Sequence, residues 1–151
     1  MYKKVLVPVD GSAASMRGLD EAIELAKATG ATLHLVHVLG EHVVDVSYAP
    51  PGYFEQLSRS MREAGTKLLA AAEARVRQEN VDCDSDLLDV SGAPAAAAIL
   101  SQAERLSVDL IVMGTHGRRG LRRLALGSDA EMVLRSSRVP VLLVRDRPEV
   151  D

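Results

Sequence analysis

The chain has 151 residues, 47% of them hydrophobic and 26% charged, which suits one soluble globular domain with room for a sizeable core. A net charge of −3 gives no global attraction to nucleic acid or an anionic membrane, and 3% aromatic residues without Trp argue against base-stacking surfaces for single strands. No apolar run approaches the roughly 18 residues of a membrane span, and the lone Cys83 excludes an internal disulfide.

In chain order, the first apolar segment is KKVLVPV, residues 3–9 with the aspartate following. Val5, Leu6, Val7 and Val9 predict a buried strand. Pro8 near its end means either that the strand finishes there or that it has lost a ladder partner on that side. Asp10-Gly11-Ser12 is a turn, with Ser12 as the N-cap of a helix. Met16, Leu19, Ile23 and Ala26 then repeat at helical spacing until Gly30 ends the helix. Gly18 costs that helix up to about 1 kcal/mol relative to Ala, so a close approach to the sheet is expected there. TLHLVHV (32–38) is a second strand whose imperfect alternation suits cover on both faces; His34 and His37, three apart, point to opposite faces.

Residues 39–52 form a loop whose Val43, Val44, Val46 and Tyr48 are too apolar for a purely solvated segment, so it is expected to cover the site or a partner surface. A long helix follows over 53–80, with a buried stripe of Leu57, Met61, Ala64, Leu68, Ala72 and Val76. Residues 82–90 make a third strand. Its four aspartates (Asp82, Asp84, Asp86, Asp89) mark an edge, where charge discourages aggregation, and they disfavour a reactive thiolate at Cys83. Pro94 opens a third helix buried through Ala96, Ile99, Leu100 and Ala103. A fourth strand over Leu110–Met113, a last helix from about Ser128 to Ser137 burying Val133 and Leu134, and a fifth strand over Val139–Val144 complete the series. Residues 1–147 read as a single domain and 148–151 as a short polar tail. Alternating strands and helices predict an α/β fold: a three-layer α/β/α arrangement around an open parallel five-stranded sheet. Ligands of such sheets sit beyond the carboxyl ends of the strands, where the strand order reverses.

The stretch VDLIVMGTHGRRGLRRLALGS (108–128) is the most informative. An apolar strand breaks into Gly114, Gly117 and Gly127-Ser128, with Arg118, Arg119, Arg122 and Arg123 inside the loop. Glycines between a strand and a helix let backbone N–H groups approach an anion, and the helix start adds a favourable field. The spacing is neither a P-loop nor a dinucleotide fingerprint. The glycines can also simply shape a turn, with Ser128 capping the last helix in an S-x-x-E box completed by Glu131.

The G-x2-G-x9-G-[ST] pattern resembles the nucleotide-binding branch of the universal stress protein family. The resemblance spans essentially the whole chain: the opening K-V-L-V-P-V-D-G-S, the H-V ending strand two, the V-x-G-x-P before helix three, and V-D-L-I-V-M-G-T-H-G. It implies the strand order 3-2-1-4-5 of adenine nucleotide alpha hydrolase-like (HUP) folds. It further implies ATP binding, with Mg²⁺ arriving on the nucleotide because no carboxylate cage is visible. Carried over, Pro8, Val9 and Asp10 flank the adenosine, Val38 offers backbone groups to the adenine edge, and Met113 and Gly114 line the ribose. His116, Gly117, Arg118 and Arg119 run along the phosphates, with Gly127, Ser128 and Asp129 closing the far side.

Several of these residues have plainer roles open to them. Asp10 can equally shape the first turn. Asp129, repulsive to a phosphate, needs a bridging metal or a helix start to bond. His116 has no nucleophile or carboxylate pair at a motif spacing, so no catalytic residue is assigned. The expected function is an ATP-binding, nucleotide-sensing stress-response module in the cytoplasm, dimeric through the apolar strand Val139–Val144 and open to an unidentified protein partner. A slow ATPase or phosphotransferase and a nucleotide-independent partner-binding module are the alternatives. Adenylyl-transferring HUP relatives carry an H-x-G-H signature, which is absent.

Overall fold

The computed structural model describes residues 1–40, 46–90, 92–116 and 126–146. Five strands alternate with four helices: β1 Lys4–Pro8, α1 Ala13–Thr29, β2 Thr32–Leu39, α2 Tyr53–Gln78, β3 Cys83–Asp89, α3 Ala95–Leu106, β4 Leu110–Gly114, α4 Ser128–Ser136 and β5 Val141–Val144. The strands form one parallel sheet in the order β3-β2-β1-β4-β5. β1 is thus central, and the order reverses between β1 and β4. The central strands bury Val5, Leu6, Val7, Leu33, Leu35, Val36, Ile111 and Val112 almost completely, as near-continuous apolar runs covered on both faces must.

Alternation along each strand sorts those residues into two cores. Val5, Val7, Leu33, Leu35 and Val112 pack with Leu19, Ile23, Leu69 and Val76 of α1 and α2. Leu6, Val36, Ile111 and Met113 pack with Ile99, Ala103, Ala130 and Val133 of α3 and α4. α1 begins at the expected cap, where Ser12 Oγ accepts from Ser15 N–H at 3.2 Å, and ends at Gly30 in the left-handed region with φ 74°. Gly18 does sit at a close approach: a Cβ there would lie 3.3 Å from the backbone nitrogen of Gly114.

The long helix departs from the expected stripe. α2 buries Gly65, Leu69, Ala72 and Val76, while Ala64 is exposed and Leu57, Met61 and Leu68 are half-buried. Gly65 sets that rotation, because its missing side chain makes room for His37 of β2 and Leu87 of β3, each of which would lie 2.8 Å from a Cβ there. α4 buries Ala130 and Val133, whereas Leu134 is half exposed at 50%. β5 starts at Val141 rather than Val139; Pro140 has no N–H for a ladder, although its carbonyl accepts from Ile111 N–H at 3.0 Å. β3 is the acidic edge expected.

Candidate functional site

At the carboxyl end of the sheet, β1 and β4 part. Their register holds at Val5↔Leu110 and Leu6↔Ile111 and goes no further, whereas β1 stays with β2 as far as Pro8↔Val36. Pro8 explains the difference. Val9 N–H bonds to Val36 O of β2 at 2.8 Å, so alternation turns the Pro8 nitrogen toward β4, and that nitrogen has no hydrogen to give. Beyond this point β4 follows β5, with Thr115 N–H on Val144 O at 3.0 Å. The strand therefore finishes at Pro8, and the partner lost is β4. The result is an opening at the point where the strand order reverses, the place such sheets hold ligands.

Two turns close around the opening. The first runs from β1 into α1. Asp10 Oδ1 accepts from Ser12 N–H at 2.8 Å, and Asp10 N–H donates to Ser15 Oγ at 3.0 Å, so Asp10 shapes the turn and Ser12 caps the helix. The second leaves β4. It meets the first where Ser12 Oγ donates to His116 O at 3.4 Å. The far end of this loop returns to the sheet, because Gly127 N–H bonds to Thr115 O at 2.8 Å. Pro8, Val9, Asp10, Met113, Gly114, His116 and Gly127 are thus gathered at one end of the sheet. Val38 joins them: alternation puts its backbone groups on the β1 side, past the last residue of β1. Gly117, Arg118 and Arg119, like Arg122 and Arg123, lie outside the described residues.

Two of the expected roles change, and a third residue proves to have a packing role besides. Gly114 is demanded by packing: a Cβ there would lie 2.6 Å from Ala14 C and 2.8 Å from Ser15 N. Ser128 is not the cap of α4. Gly127 holds that position, its carbonyl accepting from Glu131 N–H at 2.9 Å, and Ser128 is the exposed first residue of the helix. Asp129 bonds a helix start, but not its own; its Oδ1 accepts from Ala96 N–H of α3 at 3.1 Å. A carboxylate at that end complements the helix dipole and satisfies a donor for which Pro94 offers no side-chain cap.

Two residues with a place here escaped the sequence reading. Thr115 is buried, and its hydroxyl has no hydrogen-bond partner among the described residues. His37 is buried with Nδ1 2.8 Å from Val9 O; since a carbonyl only accepts, Nδ1 carries the proton. His34 faces the other way, as its spacing requires, and donates through Nε2 to Asp86 Oδ2 at 2.9 Å. At the opposite end of the sheet, a shallow depression of about 670 Å³ is lined by Thr32, Arg77, Asn80, Val81, Asp82, Cys83 and Asp84. It is remote from both turns, and its carboxylates disfavour an anion.

A profile of the universal stress protein family matches residues 1–145. The chain belongs to the universal stress protein family. The universal stress protein YxiE of Bacillus subtilis is 35% identical over 151 residues, covering 96% of this chain and 100% of its own. Among solved structures, a universal stress protein family member from Burkholderia pseudomallei is 33% identical with a TM-score of 0.76, covering 95% of this chain and 96% of its own. A universal stress protein solved in complex with cAMP is 26% identical with a TM-score of 0.65, covering 97% and 98% respectively. The observed sheet order and four helices are those of this α/β fold.

Proposed function

We propose that this universal stress protein binds an adenine nucleotide, ATP with its Mg²⁺, in the opening between β1 and β4 and acts as a nucleotide-sensing module. The observation that carries the reading is the parting of these two strands at Pro8, with both glycine-marked turns meeting at its mouth. The residues fit the ligand's chemistry. The Val38 backbone faces the space past β1 with hydrogen-bonding groups for a flat heterocycle, and Asp10 stands where a ribose hydroxyl would approach. The loop from His116 through Gly117, Arg118 and Arg119 to Gly127 and Ser128 supplies amides and cations for phosphates. The cAMP complex of the 26% identical relative supports an adenine ligand. Asp129, held by α3, presents its Oδ1 to an amide rather than to the phosphates.

In this reading Mg²⁺ enters on the phosphates and supplies charge neutralisation there, while the chain's own groups bind and orient. The module works in the cytoplasm, in keeping with its unpaired Cys83 thiol. It pairs with a second copy along β5, an edge strand whose Leu142 is 41% exposed. Among the described residues no helix is long and apolar enough to cross a membrane.

The test is calorimetric titration of nucleotide-stripped protein with Mg-ATP, beside Gly127→Val and Arg118→Ala/Arg119→Ala variants shown to be folded. Gly127 has φ −60°, so a valine there strains no backbone. Saturable one-to-one binding by the wild type, weakened in both variants, is expected. A wild type that does not bind refutes the reading.

A further inference from the structure

The ladder between β1 and β2 breaks its own rule at its last rung. In a parallel pair a residue donates its N–H to one partner residue and accepts on its C=O from the residue two further along. Thr32 N–H bonds to Lys3 O and Val9 N–H to Val36 O, so the even-numbered residues of β2 face β1. Continuing this register, Val9 O would accept from Val38 N–H. It does not. The imidazole of His37 takes that carbonyl instead, Nδ1 to O at 2.8 Å. Val38 N–H has no partner among the described residues, although alternation directs it to the β1 side, past the last residue of β1.

The imidazole is held in place by its surroundings. His37 is 8% exposed, and Gly65 of α2 provides the space for its ring: a Cβ on residue 65 would lie 2.8 Å from His37 Cδ2. A buried carbonyl left without a donor costs roughly 1–3 kcal/mol, so Val9 O must be satisfied by something. A side-chain donor satisfies it without consuming the neighbouring main-chain N–H.

We infer that His37 is a positioning residue of the nucleotide site: by taking the Val9 carbonyl it keeps Val38 N–H out of the sheet and available to a ring-nitrogen acceptor of adenine. This rests on the nucleotide reading above and adds to it the side chain that keeps the base-facing amide free. His37 itself touches no ligand. Any residue at position 37 that lacks a donor at the Nδ1 position lets Val38 N–H close the ladder on Val9 O, and the base then loses its main-chain donor. Asn places its amide nitrogen near the Nδ1 position and can substitute; Val cannot.

The experiment pairs amide hydrogen exchange at Val38 with titrations of ATP and of inorganic tripolyphosphate, on wild type, His37→Val and His37→Asn. In free wild type the Val38 amide is expected to exchange at least about tenfold faster than that of Val36, whose N–H lies inside the ladder, and to slow on adding ATP. In His37→Val the Val38 amide is protected without nucleotide, and ATP binds about fivefold to tenfold more weakly, the worth of one hydrogen bond. Tripolyphosphate, which has no base, binds both alike. His37→Asn restores fast exchange and ATP affinity, which a purely structural role for the imidazole does not predict. The inference is overturned if Val38 is as protected as Val36 in free wild type, or if His37→Val binds ATP within about twofold of wild type. Failure of the wild type to bind ATP refutes the nucleotide reading instead, and exchange in the free protein still decides whether His37 holds Val38 out of the ladder.

Discussion

The two ends of the same pair of central strands are held together by opposite means. At the amino end β1 and β4 are bound closely. Asp109 Oδ2 accepts from Lys3 N–H at 2.6 Å and Lys4 N–H at 2.8 Å, and Asp109 N–H donates to Lys4 O at 2.8 Å. These two main-chain donors pull the Asp109 carboxyl below the usual carboxylate range, the Lys4 amide most strongly. At the carboxyl end a proline withholds the next rung, and side chains take over main-chain groups: His37 for Val9 and Ser15 for Asp10. A parallel sheet can open at one end when side chains replace the missing rungs and the other end stays closed. The opening is a built feature, and each replacement can be removed separately.

The largest effect is expected where the opening is packed most tightly. Gly114→Val would drive a branched side chain into the backbone of Ala14 and Ser15, and backbone cannot move aside as a flexible side chain does. A loss of about 3 kcal/mol or more in denaturant melts is expected. Loss of nucleotide binding in that variant would therefore report unfolding, which is why Gly127 is the better position for testing the loop. Gly18→Ala faces the same contact from the α1 side at 3.3 Å. The helix propensity it gains, about 1 kcal/mol, offsets the crowding, and a net change within about 1 kcal/mol is expected.

Gly65→Ala should fall between these two. Its Cβ meets the His37 ring and the flexible end of Leu87, so a loss of about 1–2 kcal/mol is expected. The shift should be visible in the His37 ring resonances and not in those of His34, which bonds Asp86 on the other face.

Smaller effects should follow pH. Because the Asp109 pKa is lower in the folded chain than in the unfolded one, its contribution is present at neutral pH and is lost as pH falls below about 4. Melting temperatures of Asp109→Ala should be lower than wild type at pH 7 and converge toward it at pH 3. A constant gap would contradict this role.

A second pH effect belongs to Cys83: burial pushes its thiol up to about 11, with the Glu73 carboxylate adding to the shift. The folded chain keeps a proton that the unfolded chain releases above about 8.5. Stability should therefore decline as pH rises from about 8.5 to about 11, and less steeply in Cys83→Ala. The same burial predicts slow alkylation of the native thiol at pH 8.

Much of the fold was legible because it rests on local patterns. Ser12 and Gly30 bound α1 where a capping hydroxyl and a left-handed glycine should stand, and the aspartates of β3 did mark an edge. The sheet order came with the family resemblance, since periodicity says nothing about which strands are neighbours. Where the reading slipped, a tertiary contact overruled a local one. The stripe of α2 is turned by the fit of Gly65 against His37 and Leu87. Ser128 lost its capping role to the main chain of Gly127, and Asp129 found its amide on a helix distant in sequence. His37 looked like an irregularity in strand alternation, because a bond from a side chain to Val9, 28 positions away, leaves no periodic trace. Pro8 was legible in part: its chemistry marked a strand end or a lost ladder partner, and the register shows both, with β4 the partner lost.

The account's central claim, that a nucleotide occupies the open end of the sheet and not the closed one, is tested most directly by mapping amide shifts of the nitrogen-labelled protein during titration with Mg-ATP. Shifts concentrated at Val9, Asp10, Val38, Met113 to His116 and Gly127 to Asp129, with Asn80 to Asp84 unmoved, are the result predicted. Shifts confined to Asn80 to Asp84, or none at all, would contradict it.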